Sequence, residues 1–390
     1  MSSRTGTYPG GTAHFVEHAL FKGTENRKAE EINGCLERLG GDLNAYTTKE
    51  EIVLHATVLK EDLPVAADLL LELAVSSIFP EDEILKERNV ILDEIAGYKD
   101  FPADDIYDRF ESMIFEGHPL SGAVLGSAAS VRRIGPEHLK AYVKEYFIPS
   151  RMVFSVVSPL PEAEVAAMIE SLSEAYFPSS GISDSADTTE SQPASAAGIP
   201  ATAVLPNVFN LRLNRHNHQA NCITGSFAPS LYDEKERMAT ILMANILGGP
   251  ASNSILNSIL REQKGWVYNV ECNYVQYADT GLAAICFGCD KERVDDCLEV
   301  IDSELEKLRS AAIVPETLEA AKKQLKGQLA IASDNGESQA LSMAKSMAVY
   351  GRINDDETVS RLIDEVTSAH LQSLALQIFN PANLSLLVYL

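Results

Sequence analysis

The alternation of apolar and polar positions changes period several times along this chain, and each change predicts an element. Over 25–40 the apolar residues Ile32, Leu36 and Leu39 recur at helical spacing and the run stops at Gly40-Gly41, which predicts an amphipathic helix with a glycine stop. From Asp42 to Leu59 the residues alternate and are β-rich, notably across Ile52–Val58, which predicts a strand pair or one long bent strand, with His55 an ordinary strand residue. Helices are predicted at about 61–77, from Pro80 through Ile95, through an acidic stretch holding Tyr107 and Phe115, and over 136–147. The compact apolar run Met152–Ser158 predicts a buried strand.

The second half repeats this order. A strand near 219–227 leads to a helix at about 233–247, a helix at 252–264 ends at Gly265, strands follow at 266–275 and 280–288, and helices at about 291–311 and 315–331. Between the halves, 178–200 is rich in Ser, Ala, Asp and Pro with no periodic apolar signal, which predicts an exposed linker. The expected division is therefore a first domain at 1–177, a linker at 178–200 and a second domain at 201–390.

Composition narrows the class. At 390 residues with 45% hydrophobic and 23% charged residues, the chain can hold two ordinary globular cores. No apolar run approaches the roughly 20 residues that span a bilayer, and the first residues lack the apolar centre of a signal peptide. A cytoplasmic location is the expectation. The formal charge of −24 argues against nucleic acid or anionic membranes as partners. The acids read first as a solvated surface, with capture of basic peptides as the second reading. The six cysteines show no paired spacing of a structural zinc site and read as reduced, mostly buried thiols, with Cys286 and Cys289 on opposite faces of a strand.

One stretch carries chemistry. Read as a helix, Gly11–Thr24 puts His14 and His18 one turn apart on one face, where two neutral imidazoles can share a metal ion. Glu17 follows His14 by three positions, within reach of a metal-bound water, completing the pattern H-x-x-E-H. A catalytic zinc takes three protein ligands and keeps a position open, so a third ligand is required elsewhere. The helix beginning at Pro80 offers Glu87 and Glu94, seven apart on one face beside Ile84, Ile91 and Ile95.

With these residues the chain resembles the pitrilysin/insulinase family of zinc peptidases, in its mitochondrial processing peptidase-like branch. The zinc pattern carries the resemblance together with the downstream Glu87/Glu94 pair, Leu39-Gly40-Gly41, Asn44-Ala45-Tyr46-Thr47, His118-Pro119-Leu120 and Leu125-Gly126. It implies an α+β fold of two homologous domains, each a mostly antiparallel sheet with helices packed on one face. By resemblance, Glu94 is the third ligand to one zinc per chain, and Glu87 supports the site. Asn44 and Ala45 lie on a strand edge that pairs with the substrate backbone. Arg261 and Tyr268, seven apart in the second half, match a pair that closes over the substrate. Family members carry a strand ahead of the zinc helix, so the short segment before Gly11 reads as shortened, and a targeting signal could be lost with it.

The function so implied is a zinc metalloendopeptidase of short or unfolded polypeptides, with Glu17 as general base. The alternative is a catalytically weak or inactive peptide-binding or assembly subunit of a processing-peptidase-like complex. Four such domains enclose a chamber in the family, so the expected partner is a second copy in a homodimer. A heterodimer with an inactive paralogue is the other choice.

Overall fold

The computed structural model describes residues 8–178, 207–215 and 217–390. Apart from its first residue, the predicted linker at 178–200 lies outside the described residues. The remaining chain divides into two compact units whose membership departs from the sequence halves. Residues 98–121 of the first half belong to the second unit, and residues 332–353 of the second half belong to the first.

In the first unit, helices α1 (Thr12–Leu20) and α2 (Ala29–Glu37) precede the hairpin of β1 (Asp42–Thr47) and β2 (Ile52–Thr57). The predicted alternating run is thus a strand pair, antiparallel with Asp42 opposite Thr57 and Thr47 opposite Ile52. Helices α3 (Leu63–Val75) and α4 (Glu81–Tyr98) follow. Two apolar clusters hold these elements. Ile32 and Leu36 of α2 meet Leu69 and Leu73 of α3. Phe15, Val16, Ala19 and Leu20 of α1 meet Ile84 and Ile91 of α4, with Leu139 and Tyr142 of the helix Pro136–Tyr146. Leu39, assigned to the apolar side of α2, stands beyond the end of that helix and is exposed.

The predicted strand at Met152–Ser158 is not one. Among the described residues β2 pairs only with β1, and no strand partner bonds the backbone of 152–158. Val153 and Val157 stay partly exposed. Apolar content gives a segment a reason to be buried, but a ladder needs a second backbone in register. The helix Gly336–Tyr350 lies against β2, where Glu337 accepts from Thr57 Oγ1 at 3.3 Å and pairs with His55 Nδ1 at 3.2 Å.

The second unit is built on five strands: β3 (Asn210–Leu213), β4 (Ala220–Ala228), β5 (Val267–Gln276), β6 (Gly281–Cys289) and β7 (Ser385–Tyr389). Their order is β3-β7-β4-β6-β5, antiparallel except for the β3/β7 pair. The three strands predicted here are displaced by a single residue. Period two divides β6 cleanly: Ala283, Ile285, Phe287 and Cys289 face one apolar cluster, whereas Leu282, Ala284 and Cys286 face another. Cys286 and Cys289 therefore do point to opposite faces, and all six cysteines are free thiols, four of them buried. The first face is covered by the helices Glu234–Gly248, Val294–Ser310 and Ser368–Ile378. The second is covered by α5 (Pro102–Ile114), whose Ile106, Phe110 and Ile114 meet Ile223, Leu282 and Leu387. Tyr389 Oη donates to Asp105 at 2.7 Å, and Tyr277 Oη donates to Glu111, fixing α5 in place. No helix among the described residues is long and apolar enough to cross a membrane.

Candidate metal and catalytic site

Helix α1 begins where Gly11, at φ 89°, turns the chain through a conformation that disfavours a side chain. Phe15, Val16, Ala19 and Leu20 bury its inner face completely, which orients His14 and His18 one turn apart, ring centroids 4.6 Å from each other. In α4 the fully buried Ile84 and Ile91 set the packed stripe, and Glu87 and Glu94 stand three positions after each, on the adjoining face. Packing of the two apolar stripes brings the four polar groups together.

Three donor atoms converge. His14 Nε2 and His18 Nε2 each lie 3.7 Å from Glu94 Oε2, and the three groups can place one ligand atom apiece within 4.8 Å of one another. The other ring nitrogen of His18 is held by Glu87 Oε2 at 3.1 Å, and Glu87 Oε1 is held by Lys22 Nζ at 2.7 Å. A carboxylate on Nδ1 favours the tautomer with its proton there and leaves the Nε2 lone pair for a metal. His14 Nδ1 is buried with no hydrogen-bond partner among the described residues. Two imidazoles, one carboxylate and room for a further ligand form the donor set of a catalytic zinc, so the residues fit that ion.

Electrostatics agrees with that assignment. Burial, helped by the neighbouring His18, pushes the His14 imidazole down to about 4, so it is neutral at physiological pH and free to act as a ligand. Burial raises the Glu94 carboxyl, opposed by His18 and reinforced by the charge of Glu17. A buried neutral imidazole beside crowded carboxylates suits a divalent cation.

Strand β1 supplies the wall opposite. Its alternate residues Leu43, Ala45 and Thr47 turn inward while Asp42, Asn44 and Tyr46 are exposed. Thr47 Oγ1 donates to Glu17 Oε2 at 2.5 Å. The Ala45 amide donates to Asn44 Oδ1 at 3.0 Å, and the β1 edge away from β2 has no partner strand among the described residues. A cavity of about 280 Å³ is lined by Glu17, His18, Phe21, Lys22, Asn33, Leu43, Asn44, Ala45 and Glu87. Of the predicted site residues, His14, Glu17, His18, Asn44, Ala45, Glu87 and Glu94 thus gather within the first unit. Sequence reasoning gave no site role to Thr47, although it stands in the Asn44-Ala45-Tyr46-Thr47 stretch that carries the resemblance, and passed over Lys22. Thr47 carried a signal, since it shares the strand face of Ala45 by period two, but Lys22 gave none beyond a basic residue just past a helix end.

Arg261 and Tyr268 belong to the second unit. Arg261 lies in a wide π-type turn, Asn257–Gln263, where its guanidinium pairs with Glu262 at 2.9 Å. Tyr268, near the start of β5, is 61% exposed, and its hydroxyl lies 3.4 Å from Asp290 Oδ1. Both side chains are accessible to a ligand.

Comparison with known proteins gives the class. Residues 3–128 match the Insulinase (Peptidase family M16) family, and residues 133–325 match the Peptidase M16 inactive domain. The chain belongs to this peptidase family. A Mycobacterium leprae protein named as an uncharacterized zinc protease is 30% identical over 95% of this chain and 80% of that protein, and one of Bacillus subtilis with the same description is 28% identical over 95% and 86%. Among solved structures, a protease from Helicobacter pylori superposes with a TM-score of 0.83 at 18% identity, covering 100% of this chain and 91% of that one. A peptidase M16 inactive domain from Pseudomonas fluorescens gives 0.79 at 19% identity, covering 100% and 90%. At that identity the likeness speaks for the fold.

Proposed function

We propose that this chain is a zinc-dependent endopeptidase of short or unfolded polypeptides, holding one zinc ion on His14, His18 and Glu94. The observation that carries the reading is the convergence of those three donors beside Glu17, a carboxylate that is none of them. Zinc bound there supplies a polarised scissile carbonyl and a water of lowered pKa. Glu17 does the proton work: Thr47 occupies its Oε2, so Oε1 is the atom that takes the proton from the attacking water and returns it to the leaving nitrogen. Glu87 fixes the His18 ring and is in turn held by Lys22. The free β1 edge receives the substrate as an added strand once the Asn44 carboxamide yields the Ala45 amide, a mode that selects extended chains over particular sequences. Arg261 and Tyr268 serve as substrate contacts in this reading, and a homodimer is the assembly it favours.

Cleavage of a quenched fluorescent peptide library, with zinc measured by elemental analysis, tests the reading. Zinc near one per chain is expected, with turnover abolished by a chelator. Glu17→Gln should keep the zinc and lose at least about a hundredfold in rate, the scale of a general base. Zinc-loaded wild type that cleaves nothing, or Glu17→Gln that turns over normally, would refute it.

A further inference from the structure

The bond between Thr47 and Glu17 joins the first strand to helix α1 at a carboxylate outside the three candidate metal donors. Thr47 is the last residue of β1, opposite Ile52, and the turn behind it is closed three times: Thr48 N–H donates to Glu51 O at 2.8 Å, and Thr48 Oγ1 accepts from the Glu50 and Glu51 amides at 3.2 and 3.1 Å. The buried Lys49 anchors the turn from the side by donating to Gly122 O at 3.1 Å. A hydroxyl held by such a turn is a fixed donor. Glu17, by contrast, is a partly buried helix residue with three side-chain torsions, and among the described residues no other hydrogen bond holds them.

We infer that Thr47 is the positioning residue for Glu17: its hydroxyl locks the carboxylate in one rotamer and leaves a single oxygen facing the reacting water. This rests on the peptidase reading above and extends it to a residue outside the three candidate metal donors. An acid–base group works only when held within hydrogen-bond reach of its proton, so losing the lock lowers the rate of the chemical step and leaves substrate binding alone.

The test uses zinc-loaded full chain and a quenched fluorescent nonapeptide pool. Thr47→Val keeps the shape and removes the donor, and Thr47→Ser keeps the donor. Thr47→Val is expected to lower kcat by about tenfold, a part of the roughly hundredfold or more that a general base contributes. KM should stay within twofold, zinc content should be unchanged, and Thr47→Val should add nothing to the loss caused by Glu17→Gln. Thr47→Ser is expected to recover most of the rate. A second readout needs no turnover: in metal-free protein, Thr47→Val should shift the urea midpoint in the Glu17 background and leave it unmoved in a Glu17→Ala background. Wild-type kcat in Thr47→Val, equal impairment in Thr47→Ser, or a change confined to KM or zinc content would overturn the inference. So would the absence of coupling in urea. Zinc-loaded wild type that cleaves nothing defeats the peptidase reading and this catalytic role with it, and the urea cycle then reports separately whether the bond forms.

Discussion

Gly126→Ala should damage the proposed zinc site from a distance, and the expected size follows from the local geometry. Gly126 has φ +71°, and a Cβ added there would lie 2.3 Å from Gly10 O and 2.7 Å from Gly11 N. Reciprocally, a Cβ on Gly11 would lie 2.5 Å from Leu125 O. The two backbones touch directly, and Gly11 is the residue from which α1 starts. An alanine at this φ costs about 1–2 kcal/mol in backbone conformation. Relieving the overlap requires the segments to part by about 1 Å, with a further cost of about 1–3 kcal/mol as in other overpacked sites. The sum, about 2–5 kcal/mol, is a large fraction of the stability of an ordinary domain. Gly40→Ala is the internal control, because Gly40 has φ +75° but an added methyl there would meet nothing within 4 Å. It should lose only the conformational part. Denaturant unfolding of both variants separates the two costs. Since His14 lies three residues after Gly11, a shift of about 1 Å at the helix start should also weaken zinc binding about tenfold or more in Gly126→Ala and leave it unchanged in Gly40→Ala. Equal stability in the two variants together with wild-type zinc affinity would refute the claim that this glycine contact sets the zinc helix.

Two further outcomes follow from the site. Glu87→Ala removes the acceptor on His18 Nδ1 and leaves the Lys22 ammonium without its carboxylate; chelator competition should show zinc affinity reduced by about 10–100-fold, and unchanged affinity would exclude a supporting role for Glu87. Metal-free protein should lose stability as pH falls from about 6.5 to about 4, because burial depresses His14 to about 4 and the unfolded chain therefore takes up its proton first. That loss amounts to about 3 kcal/mol and levels off below pH 4, and a His14→Gln variant should show a correspondingly flatter profile in urea titrations.

The three candidate metal donors could be picked out in the sequence because their placement obeys short-range rules. A spacing of four on α1 and of seven on α4 fixes which side chains share a helix face, whatever the helix packs against. What packs where is a different question. Ile106, Phe110 and Ile114 announce that α5 has a buried face, yet nothing local says that this face covers Ile223, Leu282 and Leu387, more than a hundred residues on. The same limit applies to Met152–Ser158, apolar enough for a strand but lacking a partner backbone among the described residues. It applies again to Thr47, whose role depends on hairpin register and on which helix lies beneath the strand.

The placement of the two apolar stripes explains why the site can form on a sheet of only two strands among the described residues. His14, Glu17 and His18 are oriented by Phe15, Val16, Ala19 and Leu20, all fully buried, and Glu87 and Glu94 by Ile84 and Ile91, also fully buried. These residues form one cluster with Leu139 and Tyr142. The separation of the candidate metal donors is therefore set by helix-on-helix packing, where a displaced methylene is felt at once. β1 contributes the Thr47 hydroxyl, one wall of the cavity and a free edge. On this account, core substitutions at Ile91 or Phe15 should weaken zinc binding, whereas changes at the tip of the hairpin should spare zinc and alter turnover through Glu17.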